Sequence, residues 1–491
     1  SREEIDKLVA DTKHLQEYQE EPSSQEDLEK IPMLTREDIS REIAPIYNEE
    51  IKIAEIPTVF HEIETNGIGY LDLMFDLSDV PEKDLPMVGL LQAVLGIIDT
   101  EHYEYGELFN EINRHTGGIG TSLELYPDVT KVREKEFKAT FEIKAKALYG
   151  QIPFAIRMMK EILTASKLDD EKRLKEILSM TKTRLQDRFL SAGHSAAALR
   201  AMSYKSPISK FKDTTNGIGY YQNIREMEEH FEDKKEEITN SLKALAELIF
   251  RKGNMMISYT ATREGLAVLE EEIGSLKEAL YPERTPESRC VLHCEKKNEG
   301  FKTSSKVQFA AKAGNFIDAG EEYNGALQIL KVIMSYEYLW INIRVKGGAY
   351  GCMNGYMKNG DTYFVSYRDP NLEKTNEIYD GIPAYIEQFT ADERDMTKYI
   401  IGTISDMDVP MNPSTKGDRS MAAYLQNISY EEIQKERDQV IGATQEDIRG
   451  LRDMIASVLA ENNLCVVGNE ETLQASEGMF GEVKHLNESE R

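Results

Sequence analysis

From Ile56 onward, short runs of alternating apolar residues are interleaved with longer runs of helical period. Thr58–Thr65 and Tyr70–Leu77 read as paired strands around an Asn66-Gly67 turn. A helical run, Leu85–Ile98, follows, and a second, Tyr105–His115, ends at Gly117-Gly118. Two more strands are predicted at Ile119–Tyr126 and Glu136–Ala145, then helices at Pro153–Ser166 and Asp170–Leu190. Asn254–Thr260 reads as a strand and Glu264–Ala279 as a helix. Tyr281-Pro-Glu-Arg-Thr-Pro286 has the composition of a turn between domains.

The second half repeats the order. A strand is predicted over Ser304–Ala311, and a long helical stretch, Tyr323–Ile341, ends near Gly347-Gly348. Strands flank Asn359-Gly360, and helices follow at Glu373–Phe389, Ala391–Asp406, Tyr430–Ile441 and Gln445–Leu459. The strand Asn463–Val467 closes the unit. The two glycine pairs hold comparable places, so the pattern predicts duplication of a domain of roughly 200 residues. Antiparallel hairpins with helices gathered on one face define an α+β class, each domain an antiparallel sheet.

Ahead of the duplication lies an acidic stretch of different texture. Ser1-x-x-Glu4 has the form of a capping box, and Ile5, Leu8, Val9 and Leu15 recur at helical spacing. Pro22-Ser-Ser interrupts the pattern and Thr35-x-x-Asp38 restarts it. The expectation is a helical hairpin linker over 1–45, followed by α+β domains over 46–282 and 283–491.

Charge and cysteine content narrow the function. The 491 residues carry a net charge of −28, which disfavours nucleic acid and anionic membrane as main partners. No apolar run approaches the ~20 residues that span a bilayer. Cys290, Cys294, Cys352 and Cys465 are few and irregularly spaced. That argues against a disulfide framework and for a reducing compartment, such as a bacterial cytoplasm. The chain starts with Ser1-Arg-Glu-Glu, which suggests a fragment with residues missing upstream.

Most candidate chemistry dissolves on inspection. None of the eight histidines begins H-E-x-x-H or H-x-x-E-H. His61 sits in a strand pattern, where neighbouring side chains point to opposite faces and do not converge on a metal. Cys290-Val-Leu-His-Cys294 lacks a second pair of ligands and reads as a strand with Cys290, Leu292 and Cys294 inward. Ser179-Met-Thr-Lys182 matches S-x-x-K without its partner motifs and reads as a solvated helix face. Gly117-Gly-Ile-Gly120 lacks the Lys-Ser/Thr of a phosphate loop.

The exception is Ile341-Asn-Ile-Arg-Val-Lys-Gly-Gly-Ala-Tyr-Gly-Cys352. Glycines here permit close backbone approach. Arg344 and Tyr350 flank the turn, and a cation and a phenol so placed can both reach a carbonyl oxygen. The plainer reading makes Arg344 a surface strand residue and Tyr350 a core aromatic.

Arg344-Val-Lys-Gly-Gly-Ala-Tyr350-Gly351, with Ser366-Tyr-Arg-Asp-Pro-Asn371 after it, resembles the C-terminal half of presequence proteases. These are zinc peptidases of the pitrilysin/insulinase superfamily with an inverted H-x-x-E-H motif. The resemblance implies four homologous domains closing as two bowls around a peptide chamber, with zinc in the first domain. It implies that Arg344 and Tyr350 reach a substrate carbonyl, with Gly347, Gly348 and Gly351 shaping the turn. This sequence departs from the family pattern in having no H-x-x-E-H. The implied role is therefore a zinc-free C-terminal half, inactive alone, whose Zn2+ and catalytic residues lie in the N-terminal half of the same protease. Its substrates would be unstructured peptides, and an inner wall left uncovered in a fragment is a route to artificial dimers. The alternatives are a stand-alone peptide-binding scaffold that pairs with an active peptidase, and an unrelated enzyme.

Overall fold

A computed structural model describes residues 2–21, 24, 26–27, 30–284 and 289–487. The chain divides into two compact units, 1–40 and 41–491. The first holds the helix Arg2–Glu20, on which Ile5, Leu8, Val9 and Leu15 are exposed. The expected restart at Thr35 is one 3-10 turn, Arg36–Asp38, closed by a Thr35/Asp38 capping box. The hairpin's second arm is thus a single turn there. The capping residue Ser1, and Pro22-Ser23 of the interruption, lie outside the described residues.

The second unit contains two six-stranded sheets. The first comprises β1 (Glu49–Ile53), β2 (Ile56–Glu62), β3 (Ile68–Asp76), β4 (Ile119–Pro127), β5 (Phe137–Leu148) and β6 (Met255–Ala261). Its order is β1-β2-β6-β3-β5-β4. The second comprises β7 (Glu299–Thr303), β8 (Phe309–Asn315), β9 (Gly351–Tyr356), β10 (Asp361–Tyr367), β11 (Asn463–Asn469) and β12 (Glu482–His485). Its order is β12-β7-β11-β8-β10-β9. Without the outermost strands β1 and β12, the two orders are identical in chain sequence. In each sheet the first and last strands of this common set pair in parallel, Phe60 opposite Tyr259 and Phe301 opposite Val467. The sheets are therefore mixed rather than purely antiparallel.

Two strand expectations need correction. Asn66 and Gly67 do take left-handed conformations, φ 53° and 79°, but β2 and β3 do not pair, because β6 lies between them. The turn signal is local, whereas the partner comes from nearly 200 residues downstream. The strand expected over Ser304–Ala311 begins only at Phe309, as β8; 304–308 is a loop, and β7 lies upstream of the expected span.

The helices are not confined to one face of each sheet. On β3, Leu71, Leu73 and Phe75 join the main core, while Met74 on the opposite face packs with Val59, Met421 and Leu425. Met421 and Leu425 belong to the helix Pro413–Leu425 of the second half. Conversely, the long helix Glu171–Ser203 of the first half kinks at Ala192 and runs onto the second sheet. Gly193 lies so close to Phe309 that a Cβ there would come within 2.4 Å of its ring. The main core consequently runs unbroken from Phe60, Phe75 and Phe141 to Phe301 and Phe309.

Candidate functional site

The site is carried by a helical ribbon. It begins as an ordinary helix, Ala326–Ile333, with Leu327, Leu330 and Ile333 buried. The ribbon then widens into π-helical turns, Met334–Tyr338 and Trp340–Val345. Such turns are uncommon and recur at functional sites. Arg344 thus stands on a π turn, not on a strand. The same stretch exposes Tyr336, Trp340, Ile341, Val345 and Tyr350. Five large apolar side chains are thus exposed within fifteen residues.

The ribbon ends at the glycine pair. Gly347 packs against its own helix end, where a Cβ would come within 2.4 Å of the Ile343 carbonyl oxygen. Gly348 has φ +80°, a left-handed conformation that favours glycine. Gly118, at the equivalent place in the first half, has φ +117°. Gly351 meets only ordinary contacts with Tyr367 at 3.8 Å, so sterics do not demand glycine there.

The turn brings Arg344 and Tyr350 together. The guanidinium lies 5.4 Å from the centre of the Tyr350 ring and 4.3 Å from that of Trp340. One of its N–H groups donates to the Tyr350 carbonyl oxygen. Tyr350 is no core aromatic: it is 66% exposed. Its N–H donates to the Tyr367 carbonyl at 3.0 Å, and its ring meets Tyr367 edge-on at 5.7 Å. The Tyr367 hydroxyl donates to the Ser191 carbonyl at 3.1 Å, beside the kink of the long helix.

The downstream run Ser366–Asn371 braces this arrangement. Asn371 Nδ2 donates to the Gly347 carbonyl at 2.6 Å. The Asn371 N–H in turn donates to buried Asp369, which also accepts from Thr375 Oγ1 at 2.6 Å. Burial raises the Asp369 pKa, against the hydrogen bonds it accepts.

The remaining candidates fall into structural places. His61 is buried between the Tyr47 carbonyl and Ser258 Oγ, and burial lowers its pKa. Cys290, Leu292 and Cys294 do alternate inward, but on an extended segment that forms no strand. His293 instead pairs with Glu82 at 2.8 Å. Burial pushes the Cys290 thiol up to about 11 and Cys352 to about 12, which makes both poor nucleophiles. Ser179 and Lys182 are not a solvated face: both bond to Glu228, at 2.8 and 2.7 Å. Among the described residues, no helix is long and apolar enough to cross a membrane.

Sequence reasoning missed Trp340, the one tryptophan of the chain. Its spacing of four residues from Arg344 was the available signal, since residues so spaced share a helix face.

Comparison with known proteins adds the lineage. Residues 1–227 match a family profile described as associated with subfamily C of peptidase M16, and residues 298–470 match the PreP C-terminal domain. Protein HypA of Clostridium perfringens is 39% identical over 482 residues, covering 98% of this chain and 49% of the relative. Presequence protease 1 of Arabidopsis thaliana, chloroplastic/mitochondrial, is 27% identical over 484 residues, covering 97% and 44%. The chain thus spans about half the length of these curated relatives. A peptidase M16 inactive domain from Pseudomonas fluorescens shares the fold with a TM-score of 0.59 at 14% identity, covering 87% of this chain and 98% of that one. A protease from Helicobacter pylori does so with 0.56 at 12%, covering 86% and 99%.

Proposed function

Because the chain belongs to the presequence-protease-like branch of the peptidase M16 family, we propose that it is the substrate-facing, zinc-free half of an endopeptidase that degrades unstructured peptides. In this reading Arg344 and Tyr350 reach a peptide carbonyl from the chamber wall opposite the catalytic centre. Zinc, whose chemistry is activation of water, belongs to the half that this chain does not span. Among the described residues no group of three or more His, Cys, Asp or Glu side chains could hold a metal ion. The residues present therefore do not fit a catalytic zinc, and no step on the metal is assigned to them.

One observation carries the reading: a half-buried, aromatic-clamped guanidinium beside an exposed phenol, with exposed apolar side chains nearby in the chain. An arginine has five N–H donors, and the Tyr350 carbonyl engages one of Arg344's. The others remain for an incoming oxygen. Donors held in place before charge develops stabilise it without reorganisation. The exposed apolar side chains would hold peptide side chains with little demand on their identity. A wall supplied by a separate bowl makes the site complete only on closure, which also excludes water.

The test is assembly. A long unstructured peptide is incubated with zinc and this chain, and then with the half encoded upstream added. The proposal expects silence from the chain alone and chelator-sensitive cleavage on mixing. Cleavage by the chain alone would overturn it. Peptide binding without cleavage in the mixture would instead favour a scaffold.

A further inference from the structure

Several arginines of this acidic chain find a carboxylate. Arg200, Arg251 and Arg437 each do so at 2.6–2.8 Å. Arg344 does not: among the described residues no carboxylate lies within 4.0 Å of it, although the chain carries a net charge of −28. What holds it is a pair of aromatic rings, with Trp340 at 4.3 Å and Tyr350 at 5.4 Å. Rings attract a cation through their π-faces and leave its N–H donors unspent. A carboxylate would use them and cancel the charge.

Trp340 is placed for this by the backbone. It opens the π turn that Arg344 nearly closes, and the turn is held by the Lys346 N–H donating to the Ile341 carbonyl at 2.9 Å. At 38% exposure the indole is accessible yet seated. An arginine is a long, flexible side chain, so orientation must be imposed on it.

We propose that Trp340 is a positioning residue: its indole holds the Arg344 guanidinium in one orientation, with the spare N–H donors turned toward a peptide carbonyl. This rests on the reading of Arg344 as the carbonyl donor. The indole itself need not touch substrate. Its loss would leave Arg344 present but wandering, which lowers transition-state stabilisation more than ground-state binding.

The experiment uses the full-length peptidase containing this half and compares Trp340→Phe, Trp340→Leu, Trp340→Ala and Arg344→Ala. The expected pattern is a roughly tenfold fall in kcat for the Leu and Ala variants with KM nearly unchanged, and near-complete rescue by Phe, which keeps a π-face. Leu fills space without a π-face, so it separates clamping from packing. Melting temperatures are measured alongside. In this chain, where Trp340 is the one tryptophan, Arg344→Ala is expected to change its fluorescence emission. Full activity in Trp340→Leu, with Arg344→Ala impaired, would overturn the clamp and leave the function intact. Full activity in Arg344→Ala would overturn the function as well.

Discussion

Arg200 and Glu299 meet as a buried two-point ion pair, Nε to Oε2 at 2.6 Å and Nη2 to Oε1 at 2.9 Å, joining the long helix of the first half to the first strand of the second sheet. Asp213 takes a further Arg200 N–H at 2.6 Å, the Tyr204 hydroxyl donates to Glu299 at 3.0 Å, and Lys484 lies 3.1 Å away. The network sits where the kinked helix crosses onto the other sheet. It therefore ties the two duplicated units into one body.

Removing one partner of such a pair leaves the other charge buried and uncompensated. Arg200→Ala is expected to destabilise the chain by roughly 3–5 kcal/mol. Denaturant unfolding checks this, with a fall in midpoint as the expected outcome. A midpoint within error of the parent would show that the network does not hold the halves.

The same network sets an acid limit. Burial works to raise the Glu299 pKa, but the bonds and charge of Arg200 and the charge of Lys484 outweigh it and hold the group at about 2. A carboxylate depressed in the folded state contributes stability that is present above its unfolded pKa, near 4.5, and lost as pH falls toward 2. His61 acts earlier: burial lowers its pKa, so stability declines once pH drops below its unfolded value near 6.5. Stability measured from pH 7 to pH 2 should fall in both windows. A Glu299→Gln variant should lose much of the lower step.

Gly193→Ala tests the exchange of helices. The added Cβ would sit 2.4 Å from the fully buried ring of Phe309. Overpacking of this kind costs about 1–3 kcal/mol. The expected result is a lower melting temperature, with the loss of stability eased by pairing it with Phe309→Leu.

Charge makes a separate prediction. With −28 on this half, a basic peptide should be drawn in more strongly at low salt. The Debye length falls to about 8 Å at physiological ionic strength. kcat/KM for a basic peptide should therefore drop with added salt, while that for a neutral peptide should not. Equal salt dependence would remove electrostatic attraction from the account.

The sequence pattern located the elements whose burial follows a simple period. Tyr105–His115, Tyr430–Ile441 and the antiparallel β4–β5 pair are of this kind, as are the two glycine turns. It stopped the long helix at Leu190 because the continuation, Ser191–Leu199, is built of small residues without an apolar stripe. Those residues are small because the helix lies directly on the second sheet, with Gly193, Ala196, Ala197 and Ala201 buried. It missed β7 because the strand opens on Glu299, whose burial makes sense only once Arg200 is in place. Pro413–Leu425 was missed for a related reason: Gly417 sits hard against Thr260 of the other sheet. At the candidate site, the spacing of Arg344 and Tyr350 about the glycines singled them out in the sequence. The π turns and the Trp340 clamp were not, since helical periodicity continues through them.

The central claim is that Arg344 acts on substrate rather than on the fold. Its most direct test is kcat/KM for a long unstructured peptide, measured with Arg344→Ala in the complete enzyme beside the variant's melting temperature. The account predicts a fall of about 10²–10³ in turnover at an unchanged melting temperature. Unchanged turnover, or a loss that merely follows unfolding, would contradict it.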